Sequence, residues 1–247
     1  MKIESNIVKT GSLQVGEITE EDLKAINKLA LKPMEKDKLF VFKLNACDDG
    51  LDDRNHEPFS LKSIKQLGKM YVGKTVIKDH KATADNQIAR VFSTELVEEK
   101  CLTTLQLKCY MIRTESNKDL IEEIEAGIKK EVSTSCRVEH AYCSICKTDN
   151  VTDYCKHWGG REYETKEGKE TCYFTLDGIK DVYEVSLVAI PAQPRAGATK
   201  ELQEESPKEL NKIEPGNRTE EELYVKEKTL QLFLYELKNK YKNEEGN

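Results

Sequence analysis

Glu131-Val132-Ser133-Thr134-Ser135-Cys136-Arg137-Val138 reads as a strand that starts directly after a short helix and carries small hydroxyl side chains. Successive strand residues alternate faces, so Ser133 and Ser135 share one side. Two further strand-like runs carry complementary chemistry. Upstream, Val76-Ile77-Lys78-Asp79-His80 ends on a histidine. Downstream, Tyr183-Glu184-Val185-Ser186-Leu187-Val188-Ala189-Ile190-Pro191-Ala192 holds one carboxylate. A serine, a histidine and an acid on three separate strands are the parts of a nucleophilic hydrolase. The hydroxyl needs a neighbouring base, histidine titrates near working pH, and a carboxylate can fix the ring's tautomer. The chain order His, Ser, Glu differs from the orders of chymotrypsin, subtilisin and the α/β-hydrolases.

Outward from these runs, the periodicity predicts many strands and few helices. Thr19-Glu20-Glu21-Asp22 resembles a capping box, and Leu23, Ile26 and Leu29 follow at helical spacing before Pro33. Residues 39–44 form a Phe- and Val-rich strand, and residues 47–58 a polar loop. Ser60 caps a helix with Leu61, Ile64 and Leu67, ending at Gly68. Residues 88–97 and 102–112 look like paired strands, with Leu105, Leu107, Cys109 and Met111 alternating. Asn117 can cap a helix that stops at Gly127, and residues 170–176 and 182–190 are further strands. Without regular strand–helix alternation, the fold class is mainly β with peripheral helices (α+β), a barrel-like domain.

The order and flanks of these residues are familiar. Asp79-His80, Ile88-Ala89-Arg90-Val91, Val132-Ser133-Thr134-Ser135 and the run from Glu184 to Ala192, followed by Ala196, resemble the prohead (capsid maturation) serine proteases of tailed bacteriophages. That family shares its fold with the herpesvirus assemblin proteases. The resemblance spans roughly residues 39–198 and implies a herpesvirus-protease-like β-barrel. It also implies a serine endopeptidase working by acyl transfer: Ser133 as nucleophile, His80 as base, Glu184 as the acid that orients His80. Two departures stand out. The family often has Gly two residues after the serine, where this chain has Ser135, and a Cys/His-rich insertion separates Ser133 from Glu184. Ser135 shares a face with Ser133, so pleat geometry leaves both open as nucleophile. Herpesvirus relatives use a second histidine as third member, a role open to His140 or His157. Asp79 fits poorly, because its side chain should point away from that of His80 if the strand continues.

The insertion, about residues 140–172, carries Cys143-x-x-Cys146 and, eight residues on, Cys155-x-His157. Thiolate and imidazole are preferred zinc ligands, and four of them close a tetrahedral structural site. Cys143, Cys146, Cys155 and His157 are therefore candidate ligands of a structural zinc, with Cys136 and Cys172 as substitutes. A catalytic zinc fits less well, since no ligand is missing, and catalysis needs no cofactor. The competing reading is a loop of reduced thiols. Eight cysteines in a chain without a signal-peptide-like N-terminus suit metal ligands or buried thiols rather than a disulfide framework.

Residues 1–198 thus form the protease-like domain. Residues 199–218 are polar, contain Pro207 and Pro215, and read as a linker. Residues 219–247 open on a second capping box and carry Leu223, Leu230, Phe233, Leu234, Leu237 and Tyr241 on one stripe, an amphipathic helix suited to its own domain or to a partner. The resemblance implies capsid and scaffold proteins as substrates, and self-cleavage in the linker. It also implies a homodimer or helix-mediated assembly, inside a viral procapsid in the host cytoplasm. The net charge of −6 argues against a nucleic-acid-coating protein, and no apolar run is long enough to span a bilayer. The alternatives are a non-catalytic capsid-assembly scaffold protein and a zinc-stapled binding module.

Overall fold

The computed structural model describes residues 18–99, 102–166 and 168–198. The chain divides into two units, Met1–Leu202 and Gln203–Asn247, and every described residue belongs to the first. The expected linker at 199–218 and helix at 219–247 lie outside the described residues.

Among the described residues, three α-helices surround a curled seven-stranded sheet. In chain order these are α1 (Glu20–Leu29), β1 (Leu39–Asp48), α2 (Leu61–Met70), β2 (Thr75–Lys78), β3 (Ala89–Glu99), β4 (Leu102–Ile112), α3 (Lys118–Glu125), β5 (Val132–Cys143), β6 (Glu162–Thr165), β7 (Gly168–Thr171), β8 (Phe174–Leu187) and β9 (Gly197–Ala198). The sheet order is β5-β8-β2-β3-β4-β1-β9, with β6 and β7 forming a separate hairpin. Every pairing in the large sheet is antiparallel except β2 with β8. The sheet curls until its ends meet. Gly197 pairs with Asn45 on β1 and also bridges to Glu131, just before β5. A Cβ on Gly197 would lie 2.9 Å from the Lys130 carbonyl oxygen, so this joint requires glycine.

β1 explains why its sequence does not alternate. Phe40, Phe42, Leu44 and Ala46 face the main core with Leu105, Leu107, Cys109 and Met111 of β4. Leu39 and Val41 face the other way and are covered by Ile26 of α1 and by Phe92. α1 has the expected capping box between Thr19 and Asp22. Truncating Ile26, which is fully buried, is worth about 2–5 kcal/mol at such a site.

Several boundaries differ from the sequence reading. β1 runs on to Asp48, past a bulge between Asn45 and Cys47, because Asp48 is buried and paired with Arg195 at 2.7 Å. α2 does not end at Gly68 but continues to Met70; the glycine lets the helix approach Leu105, whose Cδ1 would sit 3.3 Å from an added Cβ. Asn117 gives α3 no side-chain cap, since its amide donates to the Ile112 carbonyl. The two strands expected at 170–176 and 182–190 are largely one: β8 runs unbroken from Phe174 to Leu187, pairing with β5 through two bulges. β5 and β8 therefore form a long ribbon. Its near end lies inside the sheet, and its far end carries the Cys/His segment, residues 144–173.

Candidate functional site

β8 is the middle strand of the site. On one side Ser186 opposes Ser133 and Glu184 opposes Ser135, both on β5. On the other side Ser186 opposes Ile77 and Glu184 opposes Thr75, both on β2. Val185, Leu187 and Val132 point into the main core. Directly opposed strand residues share a face, so Ser133, Ser135, Glu184 and Ser186 all project from the reverse face.

His80 reaches that face from a turn rather than from a strand. β2 stops at Lys78, and the Lys81 N–H donates to the Lys78 carbonyl at 3.1 Å. The two central residues, Asp79 and His80, both have φ of 52°. Paired left-handed residues are the mark of a type I′ turn, and side chains there cost roughly 1–2 kcal/mol each. The expected direction of Asp79 assumed a continuing strand, and the strand does not continue. The turn is held to β8: Asp79 N–H donates to the Leu187 carbonyl at 2.9 Å and His80 N–H to Ser186 Oγ at 2.8 Å.

The His80 ring turns back along β8, and its Nδ1 lies 2.8 Å from Glu184 Oε1. The imidazole is 44% exposed and the carboxylate 7%. An ionised carboxylate can only accept, so in the neutral imidazole the proton sits on Nδ1 and the lone pair on Nε2. Burial pushes the Glu184 carboxyl above its usual range, and the His80 contact pulls against that rise. Glu184 Oε2 is buried with no hydrogen-bond partner.

The hydroxyls of Ser133 and Ser135 form no hydrogen bond among the described residues. Both serines line a cleft of ≈ 190 Å³ at the outer edge of β5, with Asn55, Glu57, Phe59 and Gln193 among its other walls. The Val132 N–H points to this edge, donating to the Ala196 carbonyl at 3.4 Å. Strand alternation places the Thr134 N–H on the same edge. Arg90 donates to Gly73 and Gln87, Arg161 stacks on Trp158 at 5.5 Å, and Arg137 is exposed.

His80, Glu184 and Ser133 thus share one face, while the other two histidines considered lie elsewhere. His140 is seven residues further along β5, about 23 Å for an extended strand. Its Nδ1 is 2.7 Å from Asp149 Oδ2, and its ring stacks on Tyr142.

His157 joins the cysteines at the far end of the ribbon. Ligand atoms of Cys143, Cys146, Cys155 and His157 lie within 4.8 Å of one another. Cys146 and Cys155 sulfurs are 3.5 Å apart, and His157 Nδ1 is 3.7 Å from Cys143 Sγ and 3.4 Å from Cys155 Sγ. Bond lengths of about 2.3 Å to sulfur and 2.0 Å to nitrogen give tetrahedral edges of roughly 3.8 and 3.5 Å. The four residues could therefore hold a metal ion. Of the expected substitutes, Cys172 is near, 3.8 Å from Cys143, while Cys136 packs on the main core, where burial raises its thiol to about 11.

Two side chains that hold these clusters in place were not singled out from the sequence. Ser186 stands in the quoted downstream run, and its period-two relation to Glu184 was the available signal. Asp149 organises the Cys/His loop, accepting from Ala141 and Val151 N–H groups as well as facing His140. Nothing in its spacing marked it. No family model, curated protein or solved structure matches this chain. Among the described residues, no helix is long and apolar enough to cross a membrane.

Proposed function

We propose that the chain is a serine endopeptidase of the capsid-maturation type, with Ser133 as nucleophile, His80 as base and Glu184 as the acid that orients it. The observation that carries this reading is the 2.8 Å His80–Glu184 contact on the face from which Ser133 projects. The resemblance to prohead proteases supplies the substrate class, capsid and scaffold proteins inside a procapsid, and the curled sheet is compatible with their barrel.

In the first half-reaction Ser133 Oγ attacks the scissile carbonyl carbon while His80 Nε2 takes the hydroxyl proton. The carbonyl π pair moves to oxygen, where the Thr134 N–H at the cleft edge is a candidate donor. Collapse breaks the C–N bond, and His80 returns the proton to the leaving amine. Water then attacks the acyl-serine ester with His80 again as base, releasing the acid and restoring Ser133. Glu184 stays ionised and balances the transient imidazolium. Ser133 is preferred to Ser135 because it occupies the family's serine position.

The Cys143, Cys146, Cys155 and His157 cluster is read as a structural zinc site. It closes the insertion, which has few apolar residues of its own, and takes no part in acyl transfer.

The test needs no natural substrate. A fluorophosphonate probe loses fluoride to an activated serine oxygen, and mass spectrometry locates the adduct. The expected adduct is on Ser133, lost in His80→Ala and after denaturation. An adduct on Ser135, or none on native protein, would refute the assignment of Ser133.

A further inference from the structure

We propose that Ser186 is a positioning residue for the base: its hydroxyl fixes the His80 backbone in the left-handed turn that delivers the ring to Glu184. This inference rests on the peptidase reading above.

Ser186 is fully buried, in a strand whose neighbours Val185 and Leu187 belong to the core. A buried hydroxyl is costly unless it is used. Its Oγ accepts the His80 N–H at 2.8 Å, and its other contact, to the Leu187 carbonyl, is long at 3.4 Å. The main service of this hydroxyl is therefore to His80. That service is needed because Asp79 and His80 both sit in left-handed backbone, which relaxes unless it is held. Asn86 holds the turn from the other side, its amide donating to the Lys78 and Lys81 carbonyls at 2.6 and 2.8 Å.

The placement couples the parts of the site. Glu184 and Ser186 lie two residues apart on one strand and one face. Ser186 takes the backbone of His80 and Glu184 takes its ring, so β8 defines both ends of the histidine. Ser186 also stands directly opposite Ser133. One strand thereby sets the base relative to the nucleophile. Without the Ser186 hydroxyl the His80 N–H loses its acceptor, the turn opens, and the ring swings off Glu184.

The test uses the full chain labelled with ¹⁵N-histidine. The chain has four histidines, and His80→Gln assigns the Nδ1-bound proton shared with Glu184. In Ser186→Ala that signal should vanish through exchange with water, and fluorophosphonate labelling of Ser133 should slow at least tenfold. Ser186→Cys, a second variant, puts a poor acceptor in the same place. It should also lose the signal. An unchanged His80 signal and labelling rate in a folded variant would overturn the proposal while leaving the peptidase reading intact. If native protein takes no label but the substitution still removes the His80 signal, the peptidase reading fails and the positioning role stands.

Discussion

The near and far ends of the β5–β8 ribbon share two strands and are held together by different means. At the near end, β8 lies between β5 and β2, and Val132, Val185 and Leu187 anchor it in the main core. At the far end the buried cluster consists of Cys143, Cys155 and Cys172, with Ile145, Tyr163 and Phe174 against it. Ten residues of extended strand, about 33 Å, separate Ser133 from Cys143. A site that must hold a strained turn and a buried carboxylate is placed where β8 is paired on both sides, with β5 and with β2. A loop too polar to make its own core is placed where cysteines and a histidine converge.

The largest effect should break the near end alone. Ser133→Ala is expected to cut peptide cleavage roughly 10³-fold or more, with the melting transition and metal content unchanged. Activity retained in that variant would remove Ser133 from the mechanism. Ser135→Ala should cost far less.

Glu184→Gln sharpens the contrast, because activity and stability should move in opposite directions. Activity should fall about 10²-fold or more, since glutamine cannot balance an imidazolium. Burial raises the folded carboxyl above the ordinary glutamate value. The folded state therefore binds that proton more tightly than the unfolded state. Stability falls as pH rises through the raised value, and the ionised form carries that cost at neutral pH. Denaturant melts at pH 7 should show the glutamine variant as stable as the parent or more so. A clear loss of stability would mean that the carboxylate is better solvated than its unpartnered Oε2 suggests.

The converse break is at the far end. Chelation, or Cys143→Ser, should remove one equivalent of zinc and unfold the Cys/His segment, read as lost hydrogen-exchange protection across residues 144–173. Ser133 labelling should persist, because among the described residues the candidate ligands gather at the far end. Cys172→Ser should keep the metal, since Cys172 stands outside the four-residue group, its sulfur 3.8 Å from that of Cys143. Loss of labelling on chelation would show that the two ends are coupled.

How much of this was legible follows from the range of the interactions. The strand runs, the α1 capping box and the Cys/His spacing are local patterns, and they located Ser133, Glu184, Cys143, Cys146, Cys155 and His157 on their elements. The parallel β2–β8 pairing is a contact more than 100 residues apart in sequence, and only that pairing brings His80 to Glu184. The left-handed turn was not visible, because Lys78-Asp79-His80-Lys81 contains no glycine to announce it. The sequence reading leaves residues 177–181 between two strands, and Asp177, Gly178 and Asp181 are turn-forming residue types. In the folded chain Gly178 takes φ of 71° inside the strand, and the two bulges lie beyond it, each adding one residue to β8, between Ile179 and Asp181 and between Val182 and Glu184. Gly68 failed as a helix stop for a related reason: tertiary packing on Leu105 outweighed the propensity of one residue.

The smallest predicted effect separates the two ends by the sign of their acid response. Asp149 is held at about 2, first by the Ala141 N–H and then by His140. Its folded value is depressed, so its stabilising contribution is full above the ordinary aspartate range and fades as pH falls from there toward about 2. Glu184 acts the other way, since acidification relieves its cost. Between pH 5 and pH 3 the amides of Ala141 and Val151 should lose hydrogen-exchange protection while those of Val185 and Leu187 hold or gain it. Asp149→Asn should flatten the pH response of the far end and leave that of the near end alone. Parallel loss at both ends would mean that the ribbon unfolds as one unit, and that the sheet and the cysteine cluster are not independent supports.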